Sequence, residues 1–142
     1  MGLEVASFGL TSKFLNNLRS SQASVAIGAY FGVDEIVLKS WTRMMSYVRN
    51  VYAHHARLWN RTLTVKPKLP RRTAYRWLAN PRISDDRLYS LLAGAAYLLT
   101  AIEPSAGQRF KRDLRTLLQA YPTVPVTVMG FPTGWEQDAF WQ

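Results

Sequence analysis

The stretch Asp34-Glu35-Ile36-Val37-Leu38-Lys39-Ser40-Trp41-Thr42-Arg43-Met44-Met45-Ser46-Tyr47-Val48-Arg49-Asn50-Val51-Tyr52-Ala53-His54-His55-Ala56-Arg57-Leu58-Trp59-Asn60-Arg61 decides the fold. No Pro or Gly occurs between Val33 and Lys66, so nothing in it breaks a helix. Val37, Trp41, Met44, Val48, Val51 and Leu58 recur at alternating steps of four and three, with His55 in the one gap. That is the period of an amphipathic helix, not of a strand. The spacing predicts one helix from about Asp34 to Arg61, with His55 on the packing stripe as a structural residue. A second stripe of the same period holds Arg43, Tyr47, Asn50, His54, Arg57 and Arg61, all polar or cationic. Asp34 reads as the N-cap, and the acid-first, arginine-last order agrees with the helix macrodipole.

The last thirteen residues of the stretch, Arg49 to Arg61, hold both histidines, three arginines, two asparagines and one of the five tryptophans. Few other places in the chain could host chemistry. Asn50 and His54 are four apart and therefore neighbours on a helix surface. Arg49 and His54 are five apart, which at about 100° per residue points them roughly 140° from each other. They can still face one groove if it lies between two helices or two subunits.

These residues resemble known proteins. Arg49-x-x-x-x-His54 with Asn directly after the Arg resembles the signature of HEPN-domain ribonucleases. The longer string Arg-Asn-x-x-Ala-His-His-x-Arg-Leu-Trp-Asn-Arg is similar to the bacterial Abi-like (AbiD/AbiF type) abortive-infection family. Leu3-Glu4-Val5-Ala6-Ser7-Phe8-Gly9, Leu63-Thr64-Val65-Lys66-Pro67, Tyr121-Pro122 and Met129-Gly130-Phe131-Pro132-x-x-Trp135 agree with it. The resemblance spans essentially this whole chain but only the C-terminal part of the family's usual length. It implies that the family's N-terminal region is absent and that Met1 begins a truncated or short form. It also implies a HEPN-like helical domain, Arg49 and His54 as a catalytic pair, and a homodimer, since each chain has one copy of the motif. Glu4 belongs to the family's recurring pattern, and reads either as a polar contact to the Arg49 region or as a solvated surface residue.

At 142 residues the chain is one domain of ordinary size, 1–142, with room for a core. An apolar fraction of 48% and a charged fraction of 19% argue for a folded protein rather than disorder. No apolar run reaches the ~18 residues of a membrane span. The start carries Glu4 and no basic leader region, so it does not read as a signal peptide. The absence of cysteine excludes disulfides, thiolate metal sites and a cysteine nucleophile, and fits the cytoplasm. Two adjacent histidines without a cysteine partner argue against zinc. No metal or other cofactor is expected.

A net charge of +9 and a pI near 10.3 point to a polyanionic partner. Nine of the 18 basic residues lie between Arg57 and Arg87: Arg57, Arg61, Lys66, Lys68, Arg71, Arg72, Arg76, Arg82 and Arg87. Tyr75 and Trp77 are interleaved among them. Cations that track phosphates and rings that stack on bases suit single-stranded nucleic acid; the alternative is a solvated basic loop. Arg57, Arg61, Lys66, Lys68, Arg71, Arg72 and Arg76 are the candidate RNA contacts. Arg57 and Arg61 read equally as charges at a helix C-terminus, and Trp59 reads as packing.

The remaining segments are helical or extended. A helix is predicted over 3–19, broken near Gly9 with a fresh cap at Thr11 or Ser12, and a short one over 22–31 that stops at Gly32. Residues 62–83, with Pro67, Pro70 and Pro81, read as a long basic connection with one helical turn at Thr73–Leu78. Ser84 reads as the N-cap of a helix that runs to about Ile102, ended by Pro104, and another helix follows over 106–120. The tail, 122–142, is rich in proline and aromatics, and Trp135, Phe140 and Trp141 read as cover for the core rather than as a cofactor site. No glycine-rich phosphate loop, strand alternation or internal repeat appears. The fold class is all-α, a helical bundle.

Such a constellation could cleave RNA without a metal, because RNA carries its own nucleophile, the 2′-hydroxyl. Histidine can move the proton, arginine can stabilise the charged phosphorane, and Asn50 can orient either group. The leading reading is an anti-phage endoribonuclease with Arg49, Asn50 and His54 as its catalytic residues. The alternatives are a non-catalytic RNA-binding module and a purely structural dimerisation domain; the last leaves the basic connection unexplained.

Overall fold

The computed structural model describes residues 8–18, 21–80 and 82–142. Five α-helices, α1 (Phe8–Asn17), α2 (Gln22–Tyr30), α3 (Glu35–Ala53), α4 (Leu88–Ile102) and α5 (Pro104–Ala120), are followed by short 3-10 turns at Val126–Met129 and Trp135–Gln137. No strand occurs among the described residues, so the all-α expectation holds. Glu4 and the part of the 3–19 helix before Phe8 lie outside the described residues.

α2 starts at a reciprocal capping box between Ser21 and Ser24, which the sequence reading missed because Ser replaces the usual Glu or Gln at the third position. Ser24 also donates to the Glu35 carboxylate. The chain then reverses through Gly32, at φ +66°, where a Cβ would collide with Ala74 and come 3.1 Å from the Tyr97 hydroxyl. The Gly32 carbonyl accepts from the Ala74 N–H at 2.8 Å and the Tyr97 hydroxyl at 3.0 Å. One turn thus ties α2, the connection and α4 together. Asp34 caps α3 as expected, its Oδ1 accepting from the Ile36 N–H at 2.7 Å.

The stripe Val37, Trp41, Met44, Val48 and Val51 is buried, as its period predicts. Trp41 lies at the centre, stacked on Trp77 at 5.2 Å and edge-on to Tyr97 at 5.5 Å. The helical turn expected at Thr73–Leu78 is absent. The connection instead runs extended across the bundle, with Trp77 and Leu78 packed into the main core.

Two helix boundaries also differ from expectation. α4 begins at Leu88, not at Ser84. The Ser84 hydroxyl bonds the Asp86 carboxylate, and the Asp86 carbonyl accepts from the Leu63 N–H at 2.7 Å. Those partners hold 84–87 as a turn outside the helix. Pro104 opens α5 as well as ending α4, a position where its missing N–H costs nothing. α4 and α5 pack as a hairpin so close that a Cβ on Gly107 would stand 2.8 Å from Thr100 Cα.

The aromatic tail closes the core as expected: Trp135, Phe140 and Trp141 are buried. The Asp138 carboxylate accepts from the Ala79 and Phe140 N–H groups, each at 2.9 Å, which pins tail to connection. The Trp141 indole donates to the Tyr89 hydroxyl at 3.0 Å. Burial pushes the Tyr89 hydroxyl up to about 12, with Asp138 adding and the Trp141 N–H opposing. An unfolded tyrosine ionises near 10.0, so the folded state favours the neutral phenol. That contribution is complete below pH ~10 and is lost as pH rises toward ~12, on the order of 2–3 kcal/mol. Denaturant unfolding at rising pH should show this loss, and Tyr89→Phe should flatten it. The variant should start lower at pH 9, by about 1–3 kcal/mol, because the Trp141 N–H loses its acceptor. Parallel pH profiles for the two proteins would refute the assignment.

Candidate functional site

α3 does not reach Arg61. It stops at Ala53, with His54 as C-cap and His55 in the left-handed region at φ +54°. The His55 N–H bonds the Tyr52 carbonyl at 2.9 Å, and the Ala56 N–H bonds the Val51 carbonyl at 3.1 Å. This pair of bonds is a Schellman stop, with histidine in the place glycine usually takes. The expectation that His55 packs on the apolar stripe is therefore wrong: His55 is exposed and off the helix. A second left-handed residue, Asn60 at φ +55°, follows in a turn closed by the Arg61 N–H on the Leu58 carbonyl at 3.2 Å. Asparagine tolerates this conformation better than most residues. Arg87 reaches the Asn60 amide oxygen at 3.4 Å.

The chain then folds back along α3. Leu58 and Val65 pack against Met44, Val48 and Leu63, and the cluster holds 58–65 on the helix. Arg61 returns in this way to the polar stripe it was assigned to, by a loop rather than by helical continuation. There it meets the Tyr47 hydroxyl, which Thr64 first and Arg61 second hold below its ordinary pKa. Arg57 stays exposed in the loop.

Asn50 lies in the last turn of α3, Arg49 directly precedes that turn, and His54 caps the helix; all three are exposed. Within the described residues none of their side chains is held by a hydrogen bond or ion pair. They share one helix end but do not form a closed hydrogen-bonded triad. Tyr52, 72% exposed, stands beside them and lines a cavity of about 340 Å³ with Ala53, His55 and Ala56. The sequence reading passed over Tyr52, which by helical period flanks the apolar stripe, roughly 60° from its centre. No cluster of metal-ligating side chains occurs among the described residues. No helix among them is long and apolar enough to cross a membrane.

The basic connection divides into parts. Lys66 pairs with Asp85 at 3.3 Å and Asp86 at 3.9 Å. Lys68, Arg71 and Arg72 line a cavity of about 940 Å³ against the start of α3. Arg76 turns the other way, donating to the Ala139 carbonyl at 3.3 Å. Its charge bears on Lys111, whose ammonium sits 4.4 Å from the Phe140 ring centroid. Burial, then Arg76 and Arg115, hold Lys111 below the ordinary lysine range. Trp77, partly buried, stacks on Trp41 and packs edge-on against Phe140, while Tyr75 remains 41% exposed.

Fold and site together define an all-helical protein with an arginine, an asparagine and a histidine displayed at one helix end. Residues 1–60 match the family model described as Abi-like protein. The match includes Arg49, Asn50, His54 and Trp59. No curated protein and no solved structure matches the chain.

The Schellman stop makes a sharp prediction. Gly at position 55 relieves the left-handed strain, so His55→Gly should keep or raise stability, by up to about 1 kcal/mol. His55→Val should cost about 1–2 kcal/mol, since a β-branched residue resists that conformation. Thermal melts of both variants decide it. The reverse order, with Val tolerated and Gly damaging, is what a packed His55 on a continuous helix would give.

Proposed function

We propose that this chain is a metal-independent endoribonuclease of a bacterial abortive-infection system, acting in the cytoplasm as a HEPN-type homodimer. The observation that carries the reading is the free, exposed Arg49, Asn50 and His54 at one end of α3, inside the family-matched segment. The 140° offset of Arg49 and His54 supports a site shared by two copies, with the α3 ends near a two-fold axis.

In this scheme His54 takes the proton of an RNA 2′-hydroxyl as the 2′-oxygen attacks the adjacent phosphorus. Arg49 donates to the non-bridging oxygens, where charge grows in the transition state. The bond from phosphorus to the 5′-oxygen breaks, and that oxygen leaves with a proton from the second copy's histidine or from water. Asn50 orients the phosphate or the imidazole. The products are a 2′,3′-cyclic phosphate and a 5′-hydroxyl. Arg57 and Arg61 beside the site, and the basic connection beyond it, hold the RNA. The second reading, a non-catalytic RNA-binding module, draws on the missing contact between Arg49 and His54 within one chain. A second copy has to supply it.

Purified protein is incubated with labelled single-stranded RNA in EDTA, and the ends are analysed. Cyclic phosphate termini should form, and DNA should be untouched. His54→Ala and Arg49→Ala should each lower the rate by about 10²–10⁴-fold with helical content unchanged. Binding without cleavage selects the non-catalytic module. A requirement for divalent metal, or 5′-phosphate products, would overturn the mechanism. Light scattering should give a dimer, and full activity from a monomer at high concentration would remove the composite site.

A further inference from the structure

The first turns of α3 and the connection enclose a groove that the sequence reading did not locate. The 940 Å³ cavity is adjoined by one of about 390 Å³, and the two share Ile36 and Lys68 as lining residues. Six cations line the pair: Lys39, Arg43, Lys66, Lys68, Arg71 and Arg72. One carboxylate, Asp34, faces them, and its Oδ1 is engaged by the Ile36 N–H. Lys39 is partly committed, donating to the Leu18 carbonyl at 2.6 Å, and Lys66 is ion-paired. Arg43, Lys68, Arg71 and Arg72 have no ion-pair partner among the described residues.

These charges are divided between the two adjoining cavities, with Lys68 common to both. Ile36, Lys39 and Arg43 span about 10 Å of helix axis at ~1.5 Å per residue. A single small anion needs its donors aimed at one point, whereas a row of separate cations fits a chain of phosphates. Ile36, half exposed at the junction of the two cavities, offers an apolar surface for a sugar or base. Arg43 precedes Arg49 by about 9 Å along the same axis, so a strand in the groove is led toward the α3 end.

We infer that this groove is the track for single-stranded RNA, with Arg43, Lys68, Arg71 and Arg72 each taking a backbone phosphate. The inference rests on the ribonuclease reading for the identity of the strand. It adds Arg43 to the contacts and separates Arg71 and Arg72 from Arg76, which points elsewhere.

Binding is measured on the full chain carrying Arg49→Ala and His54→Ala, so that the RNA stays intact. A fluorescent single-stranded RNA is titrated from low to moderate salt. Four phosphate contacts predict a log–log slope near −3, at ~0.7 per contact. Adding Arg43→Gln, Arg71→Gln and Arg72→Gln should cut the slope by about 2 and weaken binding at least ~tenfold. Arg112→Gln, on α5 and outside the groove, should change neither. A DNA strand of the same sequence should show the same slope, because the groove reads phosphates. An unchanged slope in the triple variant overturns the groove even if cleavage is confirmed. A reduced slope in a protein that never cleaves RNA keeps the groove and sinks the catalytic reading. As a check independent of charge, the chain has no cysteine, so Ile36→Cys supplies a unique thiol. RNA should slow its alkylation at least ~tenfold and leave a Leu117→Cys thiol unprotected; equal rates with and without RNA at position 36 refute the track.

Discussion

The Trp41 indole N–H sets the course of the chain between α3 and α4. Trp41 is 2% exposed, and a donor buried so deeply costs about 1–3 kcal/mol if left without an acceptor. Neither α3 nor α4 can provide one, because their carbonyls are spent within the helices. The acceptor is the Lys68 carbonyl at 2.9 Å, and the Ser40 hydroxyl accepts from the Lys68 N–H at 2.9 Å. Two bonds thus hold the backbone of the basic connection against one turn of α3. Trp77 then stacks on the same indole, so the connection is nailed to the core at two points. Its cations are displayed along α3 because its backbone is bound there.

Much of this fold was legible in the sequence, and its failures have identifiable causes. The apolar stripe from Val37 to Val51 predicted the buried face of α3, and the aromatic tail predicted its own burial. Periodicity failed at His55, where the backbone turns left-handed without a glycine to announce it. Leu58 continued the stripe on paper. In the structure it reaches the same Met44–Val48 cluster by folding back, so an apolar residue at the right spacing misled. Ser84 failed as a cap because its hydroxyl had a nearer partner in Asp86. That competition is invisible to a reading of spacing alone.

The candidate site divides along the same line. Arg49, Asn50 and His54 sit within six residues on one helix end, and a local motif finds such a group. The return of Arg61 to Tyr47, the diversion of Arg76 to Ala139 and the pairing of Lys66 with Asp85 all depend on contacts remote in sequence. Composition marked the 57–87 segment as basic, but could not say which charges were already spent. Trp77 shows the same limit. Beside arginines it resembled a stacking platform, and the fold uses it as core.

The early end of α3 has a consequence for His54. In a helix, each side chain leans toward the N-terminus and covers the turn before it. Had α3 run on to Arg61, the side chains of Arg57 and Leu58 would lie over His54. The stop at His55 removes that cover, since Ala56 and Arg57 leave the helix and Leu58 dives into the Met44–Val48 cluster. The left-handed residue costs of the order of 1–3 kcal/mol, as non-glycine residues do in this region. The two Schellman bonds and the burial of Leu58 against Leu63 offset it. The stop leaves His54 exposed at a helix end beside Arg49 and Asn50, which is the presentation that proton transfer to an outside substrate requires.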